Sequence, residues 1–176
     1  MYSEILILAM LRQQPQHGYE LKKGIERILC GTVSLNNTVL YPSLKHFEEM
    51  GAVVRQVVQQ EGKPNRHIYH LTERGTELLQ AYLSDFPPEQ AADEAEFLTR
   101  VAFFDYLEPA EQLEILQKRQ AHLKTRLDYL HTLQQMADEA CATVAQQRVL
   151  AFHTQQIRSE YQWIATWLEE MQSNKS

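Results

Sequence analysis

One valine-rich alternation interrupts a chain that otherwise repeats at helical spacing, and it narrows the possible folds more than any other feature. AVVRQVVQ (52–59) suits a strand and QEGKPN (60–65) a turn-rich tip. RHIYHLT (66–72) then returns with Tyr69 and Leu71 on one face and Ile68 and His70 on the other. Three helical segments precede this hairpin. Residues 2–12 are largely apolar, and RQQPQHG reads as a turn. YELKKGIERILC then turns Leu21, Ile25, Ile28 and Leu29 inward. NNTVLYPSLKHFEEMG (36–51) sets Val39, Leu40, Leu44 and Phe47 near the spacing of a buried stripe, with Gly51 as its stop. After the hairpin, Thr72 is placed to cap a helix running to about Ser84.

Helix, helix, helix, hairpin, helix is the order of a winged helix-turn-helix, whose third helix enters the DNA major groove while the hairpin reaches the flanking backbone. If Leu40, Leu44 and Phe47 face the core, Thr38, Tyr41 and Lys45 lie opposite, about 200° round the axis from Leu40 to Thr38. Hydroxyl, phenol and ammonium groups of this kind contact base edges and phosphates, whereas the bland alternative is a solvated helix face. Asn36 and Asn37 add amides able to pair with adenine, though asparagine there also caps or turns. Pro42 has two readings. It begins the regular helix, or it distorts a helix capped at Ser34.

On the second helix, Lys22 and Lys23 are candidate phosphate contacts or plain solubility charges. Tyr19 reaches a phosphate or packs inward. At the wing, Lys63, Asn65 and Arg66 form the best local positive feature, against the alternative of an unremarked charged turn. His17 is expected to pack or hydrogen-bond locally beside the permissive Gly18.

The motifs PQHGYELKKGI (15–25), TVLYPSLKHFEEMGAV (38–53) and GKPNRHIYHLTERG (62–75) together resemble the PadR family of bacterial transcriptional regulators. VAFFDYLEPAEQLEILQKRQ (101–120) and EYQWIATWLEEM (160–171) extend the likeness to the subfamily with a long helical tail. The resemblance implies homodimeric winged-helix regulators, mostly repressors, some released from DNA by small effectors. One departure stands out. The family's second wing strand begins with adjacent basic residues, where this chain has Arg66-His67. Histidine is mostly neutral at pH 7, so wing affinity is expected to be weaker or pH-sensitive. DNA affinity unchanged between about pH 5.5 and 8 would count against that.

Charge tempers the nucleic-acid reading without removing it. Of 17 Lys+Arg and 23 Asp+Glu, residues 1–86 hold 9 and 9, leaving 8 and 14 for residues 87–176. The net charge of −6 therefore comes wholly from the second half. The pI of about 5.6 is unlike that of a strongly basic DNA-binding domain, yet a local cluster acts on phosphate within a Debye length of roughly 8 Å.

DFPPEQAADEAE (85–96) marks the expected boundary between a winged helix-turn-helix domain (1–86) and an antiparallel helical dimerisation domain (87–176). The expected fold is mostly α with one β-hairpin. In the second half, Leu113, Leu116, Gln120, Leu123, Leu127, Leu130, Gln134 and Ala137 fit heptad positions a and d, and Pro109 suits a first helical position. Leu150, Ile157, Ile164 and Met171 repeat every seven residues, with Tyr161 and Leu168 between them. Leu116, Leu123, Leu127, Leu130, Ile157, Tyr161, Ile164 and Leu168 are the candidates for an intersubunit bundle; the alternative is packing within one chain. A dimer would hold two recognition helices about 34 Å apart for a palindrome.

Phe103, Phe104, Tyr106, His153, Trp163 and Trp167 could line a pocket for a small aromatic or apolar effector, although aromatics at helical spacing are more often core. His67 and His70 fall on opposite strand faces and do not suit a shared metal. No catalytic triad or phosphate loop appears, so no catalytic residue, cofactor or metal is expected. Cys30 and Cys141 are far apart without a C-x-x-C motif, and no apolar stretch suits a membrane span or leader, which points to the cytoplasm. The expected function is sequence-specific DNA binding by a homodimeric regulator, with a dimeric protein-interaction module as the alternative.

Overall fold

The computed structural model describes residues 1–58, 66–139 and 142–173. It divides into two compact units, Met1–Glu108 and Pro109–Ser176.

The first unit is built round α1 (Tyr2–Gln13), in which every residue from Ile5 to Leu11 is buried. A helix apolar on all sides must be enclosed, and at about 1.5–3 kcal/mol per buried aliphatic side chain it supplies the strongest local drive for assembly. It packs against α2 (Gly18–Ile28), α3 (Asn37–Glu49), α4 (Glu73–Ser84) and α5 (Glu94–Val101). Leu21, Ile25 and Leu29 face inward as expected, but Ile28 is only half-buried.

The hairpin pairs β2 (Val53–Val58) with β3 (Arg66–Leu71), Arg55 lying opposite Tyr69. The turn expected before α2 contributes a further short strand, β1 (Gln16–His17), pairing antiparallel with β3. The sheet order is β1-β3-β2. Pro15 keeps the preceding backbone out of the helical region. Gln16 is buried there and donates to the Met10 carbonyl at 2.9 Å. A strand of two residues carries no period for a sequence pattern to reveal.

Two junctions hold the wing. α3 ends with Gly51 at φ +71°, the Ala52 N–H returning to the Phe47 carbonyl at 2.9 Å and the Gly51 N–H to Glu48 at 3.0 Å. The hydroxyl of Thr72, the expected cap of α4, accepts from Gly75 N–H at 3.0 Å and donates to the Gly51 carbonyl at 2.8 Å. The wing's two ends are thus tied together.

α5 is fastened by Arg100, which is fully buried. Its guanidinium donates to Glu96 Oε2 at 2.8 Å, to the Asp85 carbonyl at 2.7 Å and to Gln90 Oε1 at 2.6 Å, and lies 4.7 Å from the Phe86 ring centre. Residues 85–101 are thereby closed onto the end of α4.

The second unit pairs α6 (Pro109–Glu139) with α7 (Val144–Ser173). Pro109 is the first residue of α6, where its missing N–H costs nothing. No helix among the described residues is long and apolar enough to cross a membrane.

Candidate nucleic-acid interface

Asn36 caps α3, its side chain accepting from Val39 N–H at 3.0 Å, and Thr38 Oγ1 donates to the same Asn36 oxygen. Neither reading of Pro42 describes the result. The helix begins at Asn37 and runs through Pro42, and the cap is Asn36 rather than Ser34. Proline cannot donate to the Thr38 carbonyl four residues back, so the first turns rest on the asparagine cap and on burial of the inner face. Leu40, Leu44 and Phe47 form that face, each 1% exposed or less. Val39 departs from the expected stripe and is exposed, because it sits about 100° from Leu40 on the helix.

Asn37, Thr38, Tyr41 and Lys45 are all exposed, so the outer face of α3 is polar from its first turn to its last. Their freedom differs. Asn36 and Thr38 are engaged with each other, and Lys45 Nζ lies 3.8 Å from Glu49 Oε1 along the helix. Tyr41 points toward the start of α2: a Cβ on Gly18 would come within 3.0 Å of its ring, so only glycine leaves the phenol that place without displacement.

On α2, Tyr19 is 64% exposed rather than packed inward, and Lys23 Nζ lies 4.7 Å over its ring. Lys22 is half-buried and Lys23 exposed. The His17 side chain bonds across the fold rather than locally: Nδ1, which must carry the proton, donates to the His67 carbonyl at 2.8 Å. The His17 N–H donates to Glu20 Oε2 at 3.1 Å. The corner before α2 is thus fixed to β3. Arg66 and His67 are exposed, and no carboxylate among the described residues pairs with Arg66. Lys63 and Asn65 lie outside the described residues.

Two clefts flank Tyr41. The first, about 350 Å³, is lined by the start of α2 from His17 to Glu20, by Tyr41, and by Arg66, His67 and Tyr69 of β3. The second, about 330 Å³, is lined by Tyr41, Lys45, Glu48, Glu49, Arg55 and Tyr69. Arg55 Nε lies 3.5 Å from Glu48 Oε2. The two clefts therefore differ in charge, since the second matches its cations with carboxylates. Burial pushes the Tyr69 phenol above its ordinary value, Glu48 and Tyr41 pushing the same way and Arg55 opposing, so the group stays a donor. Glu48, Arg55 and Tyr69 were absent from the sequence-based set. For Tyr69 the alternation of β3 was a usable signal, but the carboxylates read as ordinary helix surface.

In the helical unit, Leu116, Leu123, Leu130, Ile164 and Leu168 are buried within the single chain, while Leu127, Ile157 and Tyr161 are half-buried. Arg119 joins α6 to α7 through Nε to Glu160 Oε1 at 2.7 Å and Nη2 to Oε2 at 3.0 Å. Tyr129, Met136, Val149, Phe152 and Trp163 remain exposed. Among the aromatics considered for an effector, Phe103 and Phe104 are buried in the first unit, where Phe103 stacks on Tyr106 at 5.9 Å. In the second, Trp163 and Trp167 lie 5.4 Å apart and His153 is exposed.

Residues 7–81 match the family model described as the transcriptional regulator PadR-like family. The negative transcriptional regulator PadR of Bacillus subtilis is 28% identical over 121 residues, covering 66% of this chain and 66% of its own length. A solved structure of Bacillus subtilis PadR in complex with operator DNA aligns with 97% of this chain and 99% of its own, at 20% identity and a TM-score of 0.48. The same regulator in complex with p-coumaric acid aligns over 98% and 99%, at 19% identity and a TM-score of 0.44.

Proposed function

We propose that this chain, whose residues 7–81 match the PadR-like family of transcriptional regulators, is a regulator of that kind and acts as a homodimeric repressor occupying a palindromic operator. The observation that carries this reading is the polar outer face of α3, together with a wing arginine that no carboxylate among the described residues pairs. Tyr41 and the Asn37 amide are exposed on that helix, and Arg66 stands at the tip end of the wing strands, opposite Val58. Hydrogen-bonding groups on a recognition helix read base edges, and a cation on a wing reads phosphate. Tyr19, Lys22 and Lys23 on α2 and Lys45 on α3 are assigned to the same interface as further polar and cationic contacts. The relative's name as a negative regulator supports repression.

Pairing of two chains is assigned to the helical unit. The buried leucines already close α6 on α7, so a second copy would cover the half-buried Leu127, Ile157 and Tyr161 and exposed side chains such as Phe152 and Trp163. A small aromatic or apolar effector would weaken DNA binding by favouring a different arrangement of the paired chains. The acidic balance of residues 87–176 suits a part of the molecule held away from phosphates.

Selection of bound duplexes from a random pool tests binding, symmetry and half-site spacing together. Recovered sites should be inverted repeats, with half-sites about one helical turn apart or a multiple of that. Arg66→Gln should weaken binding almost uniformly across sequences and flatten the salt slope by about 1. A protein-interaction module instead would show no duplex binding even at low salt.

A further inference from the structure

We propose that the free edge of β2 pairs antiparallel with the β2 edge of a second dimer on the same DNA, so that neighbouring operators are bound cooperatively. This rests on the DNA-binding reading above and goes beyond it, adding a contact between copies that is separate from the helical unit.

β2 stands at one side of the sheet, whose order is β1-β3-β2. Among the described residues no backbone hydrogen bond reaches Val53–Val58 except from β3. Alternate residues of the strand therefore turn an N–H and a carbonyl away from the sheet. Edges of that kind are usually blunted by lysine, proline, a bulge or a covering element. VVRQVV has no lysine and no proline, and its register with β3 runs without a break from Val53 opposite Leu71 to Val58 opposite Arg66. Its one charge, Arg55, is set against Glu48 of α3 at 3.5 Å. Val54 and Val57 are 54% and 49% exposed. An edge this rich in valine and this poor in charge attracts another strand.

Complementarity makes that strand a second copy of β2. A two-fold axis that joins antiparallel strands into one sheet keeps each face on its own side, so it passes through a pair of identical residues. Through Arg55 it would set guanidinium against guanidinium. Through Gln56 it sets amide against amide, with Val54 opposite Val58 of the partner subunit and Arg55 opposite Val57 of the partner subunit. No like charges then meet, and the face carrying Val54, Gln56 and Val58 is matched along its length. His70 Nε2 lies 3.1 Å from Gln56 Oε1, which holds that side chain over the sheet and leaves its amide nitrogen to donate.

Size assigns the contact to copies already on DNA. Stable interfaces bury about 1,200–2,000 Å², and one strand of six residues falls well short of that. Paired β2 edges therefore do not hold dimers together in free solution. Two dimers on adjacent operators meet at an effective concentration of about millimolar, where a weak but well-matched contact counts.

The test uses the full chain on a duplex carrying one operator, taken from the selection above, and on duplexes carrying two at spacings stepped through one helical turn. At the spacings that bring wings together, the second dimer should bind about tenfold more tightly than the first, the gain from a few cross-strand pairs. Gln56→Glu and Gln56→Lys each place like charges on the axis and should each abolish that gain, read as the ratio of two-site to one-site affinity. Mixing the two variants should restore it. Cross-linking reads the register. With Cys30 and Cys141 replaced by serine, Gln56→Cys should form a disulfide between copies on the two-operator duplex alone, because facing residues lie within disulfide reach. Val54→Cys should not.

Equal affinity for both operators at every spacing would overturn the pairing while leaving the DNA reading intact. A gain that both charged variants retain would overturn it too, as would a disulfide formed by Val54→Cys. An edge reserved for an extended peptide of another protein would give the first of these results. Absence of any duplex binding by the wild type at low salt would remove the pairing and the DNA reading together.

Discussion

Cys30 shows how a single backbone angle can work against stability. α2 closes with the Gly31 N–H on the Glu26 carbonyl at 2.8 Å and the Cys30 N–H on Arg27 at 3.2 Å. This pattern needs a left-handed residue just past the cap. At the end of α3 the glycine is in register at Gly51; at the end of α2 the left-handed residue is Cys30, φ +51°, with Gly31 one position late. An L side chain in that region costs about 1–2 kcal/mol. Cys30→Gly should therefore raise stability by about 1 kcal/mol, read as a higher urea midpoint at unchanged m. The cap at Gly51 was legible because the apolar stripe of α3 ends beside it. The one at Cys30 was not, since nothing in YELKKGIERILC separates the last helical residue from the first left-handed one. Asn36 and Thr38 carry a related lesson: as types they suit base edges, but adjacency lets them satisfy a helix start and each other.

Among the elements, α5 depends most on one side chain. Arg100 joins Glu96 on its own helix to the Asp85 carbonyl, just past the end of α4, and to Gln90. Burial pulls its guanidinium below the ordinary value, and Glu96 pulls it back. For Glu96, burial raises the carboxyl pKa, but hydrogen bonds from Arg100 and the Tyr2 N–H outweigh it and the net shift is downward. Removing one partner of such a pair leaves a buried charge uncompensated, so Arg100→Met should cost about 3–5 kcal/mol. Chemical denaturation should show this loss, and Glu96→Gln should soften it when combined with Arg100→Met. If Arg100→Met were neutral, the network would not be what fastens residues 85–101. Sequence reading found α5 as helix but could not see this lock, because EAEFLTRV places Glu96 and Arg100 at a spacing shared by countless exposed pairs. Burial alone distinguishes them.

For the whole molecule, pH separates the two units. On α6, burial lowers the His122 pKa, Arg119 and Arg126 lower it further, and Glu160 opposes them. A base with a depressed folded-state pKa is bound by fewer protons in the native than in the unfolded chain. Its contribution to stability is present above the ordinary value of 6.5 and is lost as pH falls through the lower folded value. The helical unit should thus melt lower at about pH 5.5 than at about pH 7.5, and His122→Gln should shrink that difference. Assembly belongs at this scale as well. Sedimentation should give a dimer, and charge placed at the exposed Phe152 or Trp163 should dissociate it while α6 and α7 stay paired. Failure of those substitutions to change the mass would remove that face from the proposed interface.

Sequence by itself determined the elements whose pattern is long or punctuated: the enclosed α1, the stripe of α3 with its glycine stop, the wing strands, the Thr72 cap and the Pro109 start. Each follows from local rules, because period, cap and turn residues act within a few positions of one another. Tertiary structure alone decided that Pro42 could lie inside α3, that Gln16–His17 would join the sheet and that Arg100 would be enclosed. Those outcomes depend on which distant segments exclude water from a side chain. That exclusion is a property of packing in three dimensions, with no signature in the spacing of residues along the chain.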